Sequence, residues 1–222
     1  MTLTPTRHAC DTSDMRIPHA VLRENLADPE RIILTAGPDP SRVEPVGAYY
    51  GAVLDFLHLH HTAEDVVLWP RLRERVPDRK ELLDRMESQH TAIGAATIAA
   101  QAALDDYRSS PTPVNARTLV SAINTLNKVM EAHLSEEERS ILPLAAVSLD
   151  QDEWDQMPSY ALSHYRGGRP WLLLGLLFDE MTPAEREEML ARLPMPLLQI
   201  WEDDGPQRYR DLMSVVRPAT LN

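Results

Sequence analysis

Apolar side chains recur at the three-to-four residue spacing of helices buried on one side through most of this chain. Ser13, Asp14 and Pro18 offer a helix start ahead of Ile17, Ala20, Val21 and Leu22. Pro29, between Asp28 and Glu30, kinks or splits that helix before the breaker cluster at residues 36–45, "AGPDPSRVEP". From Val46 to Arg75 the apolar positions Val53, Leu57, Val67 and Leu68 return at helical spacing, with Pro70 near the last turns. After Pro77 a third helix carries Leu82, Leu83, Met86, Ile93 and Thr97, and it stops before "SSPTP" at 109–113. A fourth, from Val114 to Leu142, carries Ile123, Leu126, Val129, Met130 and Ile141, and Pro143 closes it.

Four such helices with modest connections predict an all-α protein built as an up-down-up-down four-helix bundle, whose core is the usual place for a cofactor or metal. The expected organisation is a flexible N-terminus at 1–12, a metal-binding bundle at 13–147 and a C-terminal helical extension at 148–222 packed against it. Within the extension, Thr182, Pro183, Ala184 and Glu185 have the form of a capping box before "REEMLARLP".

Composition narrows the function more than the fold. With 43% hydrophobic residues, only 5% aromatic ones and 8 Gly against 18 Pro, the chain has enough apolar material for a core but lacks the aromatic and β-branched runs of a sandwich. A formal charge of -12 opposes attraction to phosphate backbones, so no nucleic-acid partner is expected. The single cysteine, Cys10, cannot form an internal disulfide, and Met1 to Asp11 has no basic segment leading into an apolar one. The longest apolar run, Trp171 to Phe178, falls far short of the ~20 residues that cross a bilayer. The expectations are therefore a cytoplasmic location, no membrane partner, and an extension whose apolar run serves as core or as the face of a homodimer.

Eight histidines bring in the chemistry, because an imidazole and a carboxylate four residues apart share one helix face. At this acid content about one such pair is expected by chance. His60 with Glu64, His61 with Asp65 and His133 with Glu137 exceed that. The stronger signal is a repeat: "HHTAEDVVLWP" at 60–70 and "HLSEEERSILP" at 133–143 share His, Glu four later, a following acid and Pro ten later. In an up-down bundle the second and fourth helices run the same way at opposite corners, so Glu64 and Glu137 can meet at one level. His19 and His90 complete the other two corners. Two inward carboxylates with several neutral imidazoles suit iron, manganese or zinc better than calcium or magnesium, and two bridging carboxylates imply two metals.

These residues resemble the hemerythrin-like, HHE-type cation-binding domains, four-helix bundles that hold a non-haem di-iron centre. The resemblance covers about Met15 to Leu144 and rests on "PHAVLRENL", "HHTAEDVVLWP", "RMESQH" and "HLSEEERSILP". The tail is similar to the extension on many actinobacterial members. The resemblance implies His19, His60, His90 and His133 as imidazole ligands, Glu64 and Glu137 as bridging carboxylates, and two iron ions joined by an oxo or hydroxo bridge. The third helix departs from true hemerythrins, which carry a second histidine there. His61, Glu87 or water is left to complete that metal. Asp65, Glu136 and Glu138 read as solvated charges or partners of ligands, His58 as pointing away, His8 and His164 as surface or packing residues, Cys10 as incidental and Trp69 as packing at the helix end.

Three functions follow. The first is a di-iron protein that binds dioxygen, peroxide or nitric oxide at an open iron position, as carrier, sensor or detoxifier. The second is a di-iron enzyme of catalase-like or oxidase-like activity on the same site, since fold does not choose between them. The third is an iron-dependent structural module that contacts a protein partner. No Gly-rich phosphate loop, nucleophile elbow or paired CxxC is present to support a nucleotide, hydrolase or zinc-ribbon reading.

Overall fold

The Asp39 carboxylate accepts the Ser41 N–H at 2.9 Å, and from this cap a single helical rod runs to Arg75. The computed structural model describes residues 9–35, 39–165 and 167–218, all of whose regular elements are helical. α1 spans Arg16–Leu26. The rod is made of α2 (Pro40–Ala63), a π turn at Glu64–Leu68 and α3 (Trp69–Arg75). α4 is Lys80–Ser109. A second interrupted rod consists of α5 (Pro113–Glu136), opened by the Thr112 hydroxyl accepting the Asn115 N–H, a π turn at Glu137–Ile141 and α6 (Leu142–Ser148). α1 packs on α2 and α5, and α4 packs on the same two, which closes the four-helix bundle.

Two boundaries differ from the sequence expectation. Pro143 does not end the fourth helix, which runs on to Ser148. In a regular helix the proline ring strikes the carbonyl four residues back and leaves it without a donor. The π turns absorb that conflict: Trp69 N–H reaches Glu64 O and Leu142 N–H reaches Glu137 O, so Pro70 and Pro143 fall in the first turn of a renewed helix. The breaker cluster at 36–45 is not a loop throughout, since helix begins at Pro40 and Pro45 lies inside it. An interior proline costs about 3 kcal/mol, which the burial of Val43, Val46 and Tyr49 offsets at roughly 1.5–3 kcal/mol per aliphatic side chain. Residues 36–38 lie outside the described residues. Pro29 splits rather than kinks the first helix, at Asp28, whose φ of 50° lies in the left-handed region that Asp tolerates.

Residues 1–8 of the expected flexible N-terminus, His8 among them, lie outside the described residues. Cys10 is already packed: its N–H donates to Ala146 O at 3.0 Å and its buried Sγ lies 3.5 Å from Ala145 O. The extension continues as α7 (Gln151–Trp154), α8 (Gln156–His164), α9 (Pro170–Asp179), α10 (Pro183–Arg192), α11 (Met195–Asp203) and α12 (Gly205–Val216). The expected capping box is present in α10, with Glu185 N–H donating to Thr182 Oγ1 and Thr182 N–H to Glu185 Oε2. The Trp171–Phe178 run forms α9, which packs against α1, α2, α11 and α12, so the apolar face offered to a homodimer is spent inside the chain. Among the described residues no helix is long and apolar enough to cross a membrane.

The apolar residues form two clusters along the bundle. One joins Leu22, Leu57, Ile93, Met130 and Leu134 to α9 and α12. The other joins Met15, Val67, Leu68, Met86 and Ile141 to Trp154 and Met157 of the extension. The polar residues of the repeat lie between them.

Candidate metal centre

Ionisable side chains occupy this middle layer of the bundle. His19, His60, His61, Glu64, His90, His133 and Glu137 are all buried, His19, His133 and Glu137 completely. α1 brings His19, the α2 rod His60, His61 and Glu64, α4 His90, and the α5 rod His133 and Glu137. All seven positions picked from the sequence therefore converge. Glu87, the alternative for the third helix, does not: it lies at the surface, paired with Arg73 at 2.7 Å.

The donor atoms form two groups that share Glu64. His61, Glu64, His90 and His133 place one donor atom each within 4.8 Å of one another, and so do His19, His60, Glu64 and Glu137. Glu64 spans the two, with Oε1 3.2 Å from His60 Nε2 and Oε2 3.2 Å from His90 Nε2. Glu137 Oε2 lies 3.2 Å from His19 Nε2 and 3.6 Å from His133 Nε2, so it too faces both groups. Helix geometry explains this: His60 and His133 each stand one turn before their own glutamate, and the adjacent His61 is rotated about 100° further round α2 toward His90. The stacked rings of His61 and His90 have centroids 4.3 Å apart.

The electrostatics are those of a site short of positive charge. Burial, with Glu137 beside it, pushes the Glu64 carboxyl up from the usual carboxylate range. Burial also opposes ionisation of Glu137, but the charge on His19, whose Nε2 lies 3.2 Å from the carboxylate, outweighs it and holds Glu137 ionised. Burial lowers His60 to about 3, His133 to about 4 and His61 well below the normal value, which leaves three neutral imidazoles, and the Nε2 of His133 lies 3.2 Å from that of His90. Burial acts the same way on His19 and His90, yet Glu137 and Glu138 around the first, and Asp65 and Glu64 around the second, raise both to about 9. Two protons thus sit where cations would balance the carboxylates.

Hydrogen bonding leaves a deficit at the same place. The Nε2 atoms of His19, His60 and His61 and all four carboxylate oxygens of Glu64 and Glu137 are buried without a hydrogen-bond partner. Unmade bonds on buried polar atoms cost about 1–3 kcal/mol each, and seven directed at one centre are the arrangement that a bound cation satisfies. The donor set of imidazole nitrogen and carboxylate oxygen fits iron, manganese or zinc.

The inward histidines are braced from behind. Asp65 Oδ1 lies 2.7 Å from His90 Nδ1, Glu138 Oε1 lies 2.7 Å from His19 Nδ1, and Gln89 Oε1 lies 3.1 Å from His133 Nδ1. Gln89 in turn donates to Glu136, which is also held by Arg85. Gln89 is the one partner the sequence reading passed over, and its place one residue before His90 was the available signal. Trp69 does more than pack at a helix end, since its ring meets His90 edge-on at 5.4 Å. His58 and His164 are exposed, as expected.

No curated protein and no solved structure matches the chain. The family profile described as hemerythrin HHE cation binding domain matches residues 11–145, the stretch that contains every residue of this centre. The bundle, the paired histidine–glutamate segments and that match over more than half of the sequence establish that the chain belongs to the hemerythrin HHE cation-binding domain family.

Proposed function

We propose that the protein is a non-haem di-iron protein that binds a small ligand, dioxygen, peroxide or nitric oxide, at an open iron position. The observation that carries this reading is the sharing of Glu64 by two donor groups, because one carboxylate between two nitrogen-rich pockets is what a pair of metals requires. His61, His90 and His133 would hold one ion and His19 and His60 the other, with Glu64 and Glu137 between them. The pair would supply electrons to, or a Lewis-acidic position for, the incoming ligand. The protein's own part is to present neutral imidazoles, to keep bulk water from a layer enclosed by two apolar clusters, and to leave the two-histidine side one donor short. Six-coordinate iron accepts about six donors, and the side without His61 falls below that count first.

The test is metal content and the optical spectrum of the aerobically purified chain, before and after dithionite, followed by azide. Two irons per chain, ferric charge-transfer bands that dithionite removes and an azide-dependent shift in those bands are expected. A fully loaded ferric protein that ignores azide would overturn the open position and leave a structural metal.

A further inference from the structure

We infer that Asp65 and Glu138, the acids directly after the two central glutamates, are matched positioning residues that hold His90 and His19 with Nε2 facing the centre. This rests on the metal reading of that centre. Successive residues point roughly a quarter turn apart around a helix, so when Glu64 and Glu137 face inward the next residue faces the adjoining helix. Asp65 on the α2 rod accordingly crosses to His90 on α4, and Glu138 on the α5 rod crosses to His19 on α1, both at 2.7 Å. Equivalent positions of the two repeats make equivalent contacts to different helices. Both carboxylates keep access to water, Asp65 at 51% and Glu138 at 38% exposure, while each spends an oxygen on a buried ring.

A carboxylate accepting from Nδ1–H places the proton there, leaves Nε2 as the lone pair, fixes the ring's rotation and makes it a stronger donor. The Trp69 N–H also points at His90 Nδ1 from 3.4 Å, but a nitrogen donating to a carboxylate at 2.7 Å has no lone pair left to accept with. Asp65 therefore sets the tautomer and Trp69 the packing. The two braces are not equal. Glu138 is shared with Arg23 through bonds of 2.6 and 3.1 Å, whereas Asp65 has no Arg or Lys ion-pair partner among the described residues. Asp65 thus directs more of its charge to its histidine, on the three-histidine side.

Anaerobic titration of the full chain with Fe(II), read by calorimetry, tests the assignment, with the ferric/ferrous potential of the loaded protein as a second readout. Wild-type protein should take up two ions. Asp65→Leu should weaken one of them ~10- to 100-fold and Glu138→Leu the other, the range seen when partners of ligating histidines are removed. Asp65→Asn keeps an acceptor but not the charge, so it should restore most of the affinity while raising the potential. Wild-type affinity and potential in both leucine variants would overturn the inference and leave the metal centre standing. Failure of the wild-type chain to bind a metal pair would overturn both.

Discussion

At the scale of single residues the centre is a balance between burial and mutual charge. His19 and His90 have folded values near 9 against 6.5 for a free imidazole, so in chelated protein their stabilisation is complete below pH 6.5 and lost as pH rises through 9. His60 and His133 have values depressed to about 3 and 4, so they withdraw stability as pH falls below 6.5, where the unfolded chain gains protons that the folded one refuses. Chelated protein should therefore be most stable near pH 6.5 and lose stability on both sides, a profile that thermal melts in EDTA across pH 5–9 will trace. A flat profile would mean that these four rings are not held as described. Metal must displace the two protons, so its affinity should rise with pH up to about 9. Glu64→Ala removes the carboxylate common to both donor groups, and metal analysis of that variant should give fewer than two irons per chain. Retention of two would show that Glu64 is not the shared ligand.

Elements decide whether those residues arrive together. Each repeat combines an inward histidine, a glutamate one turn later, a π turn starting at the glutamate and a proline in the renewed helix. Their matched positions explain why the helices can continue past Pro70 and Pro143 and bury Leu72 and Ala145. The Asp39 cap starts the rod that carries three of the seven inward residues. Asp39→Ala should cost about 1 kcal/mol in urea unfolding without changing metal stoichiometry, because the cap lies some 30 Å along the helix from His60 at 1.5 Å per residue. Loss of metal in that variant would tie the centre to the start of α2 in a way the packing does not support.

For the molecule as a whole, the extension completes the bundle's core. α9 and α12 contribute Trp171, Leu172, Leu176, Tyr209 and Val216 to the larger apolar cluster, and Arg217 donates to the Tyr49 hydroxyl at 2.7 Å and to Asn25 Oδ1 at 3.3 Å. α8 lies against the α2 rod and its π turn, and the Trp154 N–H reaches back to Asp14 at 2.9 Å. Leu172→Ala should therefore destabilise the bundle by about 2–5 kcal/mol in chemical denaturation, as a core residue does, although it lies outside the family match at 11–145. A cost below 1 kcal/mol would mean that the extension folds apart from the bundle.

Much of this architecture was legible in the chain because it depends on local geometry. Helical spacing puts His60 beside Glu64 and His133 beside Glu137 wherever those helices go, and the repeat tells that both faces serve one purpose. Helix count, the capping box at Thr182 and the inward set of seven follow from the same short-range rules. The sequence by itself thus determined which side chains share a face. Only the tertiary structure decided which neighbour each face meets: that Asp65 crosses to His90 and Glu138 to His19, that Glu87 turns outward to Arg73, and that the apolar run of α9 is buried in its own chain. It also decided that Pro45, Pro70 and Pro143 stay within helical rods: burial of the residues around Pro45 outweighs the local penalty, and the π turns place Pro70 and Pro143 in the first turn of a renewed helix. The division has one physical cause: side-chain direction along a helix is set within a turn, whereas pairing between helices is chosen by the sum of contacts over the whole core.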